Sequence, residues 1–239
     1  PETLINAWPL NEAYIDYVAG NPKSGIINNL SYEINAESII AANMSEDDAE
    51  VSTGWHAIEF LLWGQDLSLE TAGTRQAEDY APTDAIKKRR RTYLRETSIL
   101  LLEHINWLSI QWSKTGEGRA AFLEKSDPGG AILTGIATLA AFELSAERIA
   151  TALDSGDPED EHSCFSDQTH LDIRANFTGI KNVYLGIGFN SKKYSPSISE
   201  LVAEKNPSLD KSIIQLLEKT SNSINNIPIP FDKMLSEPK

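Results

Sequence analysis

The chain has 239 residues, and its 35 acidic side chains outnumber 21 basic ones, which leaves a formal net charge of −14 at pH 7. The length suits one large or two small domains, and a hydrophobic fraction of 41% favours a packed core over disorder. This acidic balance argues against a nucleic-acid partner, because phosphate binding requires a basic surface. A single cysteine excludes an intrachain disulfide and a cysteine-rich zinc site.

Targeting and membrane signals are weak in this sequence. The chain opens without a signal-peptide pattern, and its longest apolar stretch, residues 131–142, is shorter than the ~20 residues that a membrane span requires. We therefore expect a soluble protein with no transmembrane span.

The hydrophobic pattern is helical, and no alternating run predicts a strand. The predicted helices cover residues 45–64, 84–113, 130–153, 166–186, 197–205 and 208–226. Ser45 is expected to cap the first of these, and Gly64 to end it. In the second, Leu94, Leu101 and Ile105 lie on one apolar face. The predicted fold class is all-α.

A weak internal repeat suggests two halves. Residues 26–64 and 131–186 each read as an amphipathic segment, an acidic break and an apolar helix that ends in glycine. This pattern predicts two related helical-bundle halves, residues 1–115 and 116–239, packed with a site at their seam. Two unrelated amphipathic hairpins would produce the same spacing, so that alternative stays open.

The first candidate pair for chemistry is His56 and Glu59, which lie three residues apart on one helix face. Glu59 is the only charged residue between Val51 and Gly64, so we expect both side chains to be buried. A buried carboxylate needs compensation, and a metal ion held by histidine and glutamate would supply it. The alternative is a His–Glu hydrogen bond within the core. Gly54 is unusual in a helix and suggests a close backbone approach.

Two further groups complete the candidate ligands. His162, Asp167 and His170 lie in one short segment and are all competent metal ligands, although Ser166 or Asp167 could instead cap the next helix. In the predicted helix 130–153, Glu143 projects into an apolar stripe, away from Arg148. Its partner is therefore expected from another helix, either a cation or an arginine. The expected site joins His56 and Glu59 with these residues of the second half.

Together these motifs resemble the imelysin-like family, also classed as peptidase family M75, and most of all its iron-regulated protein A branch. Gly54, His56 and Glu59 match the family's GxHxxE signature. Residues 6–10, 161–167 and 180–186 match further landmarks of the family. The resemblance implies a helical protein with a site between two bundle-like halves, a periplasmic or other bacterial envelope location, and a link to iron supply. Family members usually extend further at both ends, so this chain is expected to be a trimmed form.

The peptidase class of the family fits these residues less well. A zincin uses HExxH, but here Ala57 and Phe60 occupy the positions of the general base and the second histidine. Three functions remain open: an envelope protein that binds metal at His56 and Glu59, a metallopeptidase that uses the same residues, and a non-catalytic helical scaffold or interaction protein. The expected cofactor is a divalent or trivalent ion, iron or zinc. The expected partners are that ion or a small metal-containing ligand, and a membrane-associated iron-uptake protein.

Overall fold

The structure, a computed structural model, describes residues 2–235. This range contains helices and two isolated β-bridges but no sheet, so the predicted all-α class is confirmed. The chain forms two compact units. Unit 1 takes the residues up to 128 together with residues 162–166, and unit 2 takes residues 129–161 and those from 167 onward. The boundary expected from the sequence, near residue 115, lies inside unit 1.

The helices differ widely in length. Those of unit 1 are α1 (Glu2–Ile5), α2 (Glu12–Ile15), α3 (Gly25–Asn28), α4 (Ala36–Ala42), α5 (Trp55–Trp63), α6 (Ala85–Gln111) and α7 (Glu117–Leu123). Those of unit 2 are α8 (Pro128–Ser155), α9 (Thr169–Leu185), α10 (Ile198–Lys205), α11 (Pro207–Asn225) and α12 (Asp232–Leu235). Short 3₁₀ turns cover Ala77–Tyr80, Pro158–Asp160 and Phe189–Ser191.

Helix α6 organises the core of unit 1, and its predicted bounds are confirmed within two residues. The Asp84 side chain caps it by accepting a hydrogen bond from the Lys87 N–H. Tyr93 and Leu100 are buried in the same core cluster as Phe60 of α5. The predicted apolar face continues past this core, where Ile105 is 37% exposed.

The predicted helix 45–64 is wrong in its first half. Only Trp55–Trp63 is helical, and Ser45 does not cap it. Gly54 precedes α5 with φ of 95°, and a Cβ at this glycine would lie 2.7 Å from the Ile5 carbonyl oxygen. The chain thus enters α5 through a close backbone contact that glycine permits, which confirms the approach expected at Gly54.

Helix α8 changes its winding in the middle. Thr138–Ala150 is a π-helix between two α-helical ends, so its hydrogen bonds join residues five apart. Glu143 and Arg148 therefore approach each other, with 3.8 Å between Oε2 and Nη2, and the Glu143 side chain is 43% exposed. The expectation that Glu143 points into an apolar stripe, away from Arg148, is wrong. It assumed ~100° per residue, which would place the two side chains about 140° apart.

One helix in the described part of the chain, Pro128–Ser155, is long and apolar enough to cross a membrane. Only 6% of its most apolar window is buried in the structure. Length and composition alone are weak evidence for a span, because helices of soluble proteins pass the same test. The expected absence of a transmembrane segment stays a prediction.

The remaining helices of unit 2 follow the sequence-based bounds closely. Helix α9 ends at Gly186, which adopts the left-handed conformation that favours glycine. Ser197 and Glu200 form a capping box on α10, and Asn206 caps α11 through the Leu209 N–H. Phe177 of α9 lies in the core cluster of this unit.

Candidate metal centre

Helix α5 brings His56 and Glu59 together as the i, i+3 spacing predicts. The distance from His56 Nδ1 to Glu59 Oε2 is 2.9 Å, and the two side chains are 3% and 11% exposed. The prediction that both are largely buried is confirmed. An ionised carboxylate only accepts hydrogen bonds, so the hydrogen of this bond lies on Nδ1. In a neutral imidazole of this tautomer the lone pair is on Nε2.

A second histidine, His162, lies next to Nε2 of His56. Residues 162–166 belong to unit 1, and His162 Nε2 lies 3.2 Å from His56 Nε2. The two rings are nearly perpendicular, with 4.6 Å between their centroids, and Trp8 packs edge-on against His56 at 4.9 Å. His162 is 8% exposed, so both imidazoles are withdrawn from water. The expected proximity of His56 to an imidazole from the later part of the chain is confirmed for His162, and its role as a metal ligand stays a prediction.

Ser166 holds the second oxygen of Glu59. Its backbone N–H and its hydroxyl both donate to Glu59 Oε1, at 3.1 and 2.6 Å. The following helix, α9, has Gln168 at its N-cap and no side-chain cap hydrogen bond. The Ser166 hydroxyl donates to Glu59, so this residue has a partner outside its own segment, and the suggestion that it caps α9 stays a prediction. Local capping propensity identified Ser166 as notable but could not identify a partner 107 residues away.

The distance between the two Nε2 atoms can be compared with the spacing of nitrogen ligands on a metal ion. Two nitrogen ligands at 2.0–2.1 Å from one ion are about 3.3 Å apart at the tetrahedral angle. The observed 3.2 Å between the two Nε2 atoms matches that spacing. Glu59 stands behind His56 as the carboxylate that fixes the tautomer and ring orientation of a metal-bound histidine. The same distance also suits a hydrogen bond if one Nε2 carries a proton, which is the metal-free alternative.

The other predicted ligands, Glu143, Asp167 and His170, lie in unit 2, and their part in the site stays a prediction. Glu143 forms its ion pair with Arg148 on α8. Asp167 lies just before α9, with φ of 55°. His170 lies on α9 and is 5% exposed, and its Nδ1 has no hydrogen-bond partner. Burial, helped by the charge of Arg174, lowers the pKa of His170.

Sequence reasoning missed a buried ion-pair cluster beside α5. Asp16 is fully buried and binds Arg90 through both oxygens, with Nε–Oδ2 at 2.5 Å and Nη2–Oδ1 at 2.9 Å. Arg75 donates to the same carboxylate and lies over the rings of Tyr17 and Phe60. Nothing in the spacing of residues 16, 75 and 90 could reveal this cluster.

Comparisons with known proteins place these features in a family. No curated protein matches the chain. A similar solved structure is a crystal structure described as an iron-regulated protein A precursor from Parabacteroides distasonis ATCC 8503. The two share 19% identity with a TM-score of 0.55, and the match covers 98% of this chain and 67% of the other. The family model described as imelysin, which belongs to peptidase class M75, matches residues 2–239. The chain therefore belongs to the imelysin family, as its GxHxxE residues predicted.

Proposed function

We propose that this imelysin family member is a non-enzymatic, metal-binding protein of the bacterial envelope that serves iron supply. The single observation that carries the proposal is the pair of buried imidazoles, His56 and His162, whose Nε2 atoms face each other at 3.2 Å. The similar structure from Parabacteroides distasonis is described as an iron-regulated protein A precursor, which supports iron and an envelope location.

The proposed roles of the residues differ. His56 and His162 supply imidazole nitrogen, a donor that iron, zinc and copper all accept. Glu59 accepts the Nδ1 hydrogen of His56 and so orients the ring with Nε2 toward the ion, which places Glu59 behind the ligand rather than on the ion. Ser166 holds Glu59 in place. Two protein nitrogens leave coordination positions for water or for the donor atoms of a metal-containing ligand.

Metal titration of the full chain tests the proposal. Co²⁺ is a suitable probe because its visible absorption reports coordination by histidine, and Fe²⁺ under anaerobic conditions is the physiological counterpart. His56→Ala and His162→Ala should each abolish the absorption change. Glu59→Gln should weaken Co²⁺ binding by about 10- to 100-fold, the usual effect of losing a carboxylate behind a ligand.

His104→Ala is the matched control, since His104 lies on α6 and is not one of the proposed ligands His56 and His162. It should bind Co²⁺ like the unaltered protein. If His56→Ala and His162→Ala bind Co²⁺ with unchanged affinity, the histidine pair is a hydrogen bond within the core. The third function considered from the sequence, a helical scaffold, would then be favoured.

A further inference from the structure

The outer side of α6 carries positive charge at one end and apolar side chains at the other. At about 100° per residue, six exposed residues fall within about 100° of arc. Together they are termed the α6 surface: Lys88, Arg91, Arg95, Ile99, Leu102 and Ile110. The surface is about 33 Å long at a rise of 1.5 Å per residue. All six residues lie in unit 1, and none belongs to the histidine pair.

The basic end of this surface lies where cations weaken a helix. A helix N-terminus carries a positive partial charge, so acidic side chains stabilise the first turn and cations destabilise it. Apart from its cap, Asp84, the start of α6 has no acidic residue, and residues 87–91 are all lysine or arginine. Helix stability therefore does not account for this basic cluster in a chain of net charge −14.

Two cations of the α6 surface have no acidic partner within the protein as described. Arg95 lies 3.5 Å from Glu96, its neighbour on the helix. Within residues 2–235, no ion pair includes Lys88 or Arg91. These two side chains are therefore available to negative charge from outside the chain.

The other end of the α6 surface is apolar and uncovered. Leu102 and Ile110 are 69% and 55% exposed. Residues 99–112 contain one acidic side chain, Glu103, and no lysine or arginine. A helical segment that is apolar on most sides is normally buried, and exposed apolar surface of this kind marks an interaction site. This half of the surface therefore requires an apolar partner.

An open cavity of about 540 Å³ adjoins the basic end of the surface. It is lined by Leu30, Tyr32 and Ile34 on one side and by Lys88 and Thr92 of α6 on the other. Pockets of this kind accept an anchoring side chain of a partner protein. The cavity therefore favours a polypeptide over a lipid bilayer, which has no side chain to insert there.

We propose that the α6 surface binds an amphipathic helix of a partner polypeptide. Aspartate or glutamate side chains of that helix face the cations of the surface, and its apolar side chains face the other half. A strip that is one helix wide and about 33 Å long suits such a segment.

Other occupants suit the α6 surface less well. Two copies of α6 side by side would place cations against cations in a parallel arrangement and cations against apolar side chains in an antiparallel one. An anionic bilayer would be repelled by the net charge of −14.

Fluorescence anisotropy with a labelled synthetic peptide tests the proposal on the full chain. The peptide is a helix of the same length as the α6 surface, with glutamates on one face of its first half and leucines on that face of its second half. A second peptide has lysines in place of the glutamates. The glutamate peptide should bind at least about tenfold more tightly, and high salt should reduce the difference because it screens exposed charges.

Two variants separate the contributions of charge and apolar contact. Lys88→Glu/Arg91→Glu should reverse the preference between the two peptides. Its melting temperature should not fall, because acidic side chains suit the start of a helix. Leu102→Glu should weaken the binding of the glutamate peptide by about 10- to 100-fold, the effect of losing one buried leucine.

The matched controls alter exposed residues of α11. Lys211→Glu/Lys219→Glu makes the same charge change in unit 2, and Leu216→Glu makes the same apolar-to-acidic change. Both should bind the glutamate peptide like the unaltered protein. Equal binding of the two peptides, binding of neither, or an unchanged preference in Lys88→Glu/Arg91→Glu overturns the proposal.

Two further measurements identify the other occupants. A dimer in sedimentation that Leu102→Glu converts to a monomer would assign the surface to a second copy. Binding to phosphatidylglycerol vesicles that Lys88→Glu/Arg91→Glu abolishes would assign it to lipid. Either result overturns the proposal. His56→Ala/His162→Ala should bind the glutamate peptide normally, so this test is independent of the proposed metal site.

Discussion

The carboxylate of Glu59 accepts hydrogen bonds from two sides, from Ser166 at Oε1 and from His56 at Oε2. Both oxygens are therefore engaged before any ion arrives. The sequence predicted Glu59 as a direct metal ligand. Its contacts instead support the proposed role of orienting His56 through a hydrogen bond. An i, i+3 pair on a helix has the same spacing in both roles, so spacing alone could not distinguish them.

The glycine of the GxHxxE signature, Gly54, has a backbone role that can be tested. Gly54 has φ of 95° and ψ of −170°, a region that only glycine adopts readily. Gly54→Ala should lower the free energy of unfolding by about 1–3 kcal/mol, measured by urea denaturation, because the Ile5 carbonyl also blocks the new Cβ.

Gly179→Ala is the matched control, because Gly179 lies inside α9 and a Cβ added there would have no neighbouring atom within 4 Å. That change should stabilise the protein by up to about 1 kcal/mol, through the better helix propensity of alanine. A Gly54→Ala protein as stable as the unaltered one would show that α5 can start without the glycine conformation.

At the scale of whole elements, α8 shows how helix winding changes side-chain partners. Its π-helical segment pairs Glu143 with Arg148, and the pair is partly exposed. Exposed ion pairs contribute little, so Glu143→Gln should change the free energy of unfolding by less than about 1 kcal/mol. It should also leave the Co²⁺ affinity of the histidine pair unchanged. Weakened Co²⁺ binding in this variant would restore Glu143 as a ligand.

The raised pKa of Glu161, which is buried near Asp232, predicts that the free energy of unfolding depends on pH. The pKa of Glu161 in the folded protein is raised from 4.5 to about 8, so the folded state binds a proton that the unfolded state has released. The resulting stability is complete below the unfolded pKa and is lost as the pH rises through about 8. Chelator-treated protein should therefore melt at a lower temperature at about pH 9 than at about pH 6.

Glu161→Gln should flatten this pH profile, because glutamine does not titrate. Glu204→Gln should preserve it, since that side chain is exposed. Melting curves from circular dichroism would show the difference. A flat profile in the unaltered, chelator-treated protein would mean that Glu161 is not protonated in the folded state.

For the whole molecule, membership of a peptidase class does not by itself predict proteolysis. The general base and second histidine of a zincin are replaced by Ala57 and Phe60, and Glu59 is held by hydrogen bonds. We therefore expect no chelator-sensitive cleavage of casein or insulin by the purified chain, measured by gel electrophoresis. Cleavage that chelator and Glu59→Gln both abolish would instead support the metallopeptidase alternative.

Local patterns in the sequence determined the helices of eight or more residues but none of the shorter ones. The bounds of α6, α9, α10 and α11 follow from periodicity and from capping residues such as Asp84 and Ser197, because these features act within one or two helical turns. Residues 45–54 were mispredicted, because the turn at Gly54 depends on a contact with Ile5, which is distant in sequence. The π-helical winding of α8 was equally invisible to a pattern that assumes a constant angle per residue.

In the candidate site, too, local contacts could be predicted from the sequence and long-range contacts could not. The sequence by itself determined the pairing of His56 with Glu59, since three residues on one helix place two side chains together wherever the helix lies. Only the tertiary structure decided that His162 and Ser166, 106 and 107 residues from their partners, complete this group while Glu143 pairs with Arg148. It also decided that Glu161 and Asp232 are buried near each other. Contacts at such separations depend on how whole segments pack, which no local period encodes.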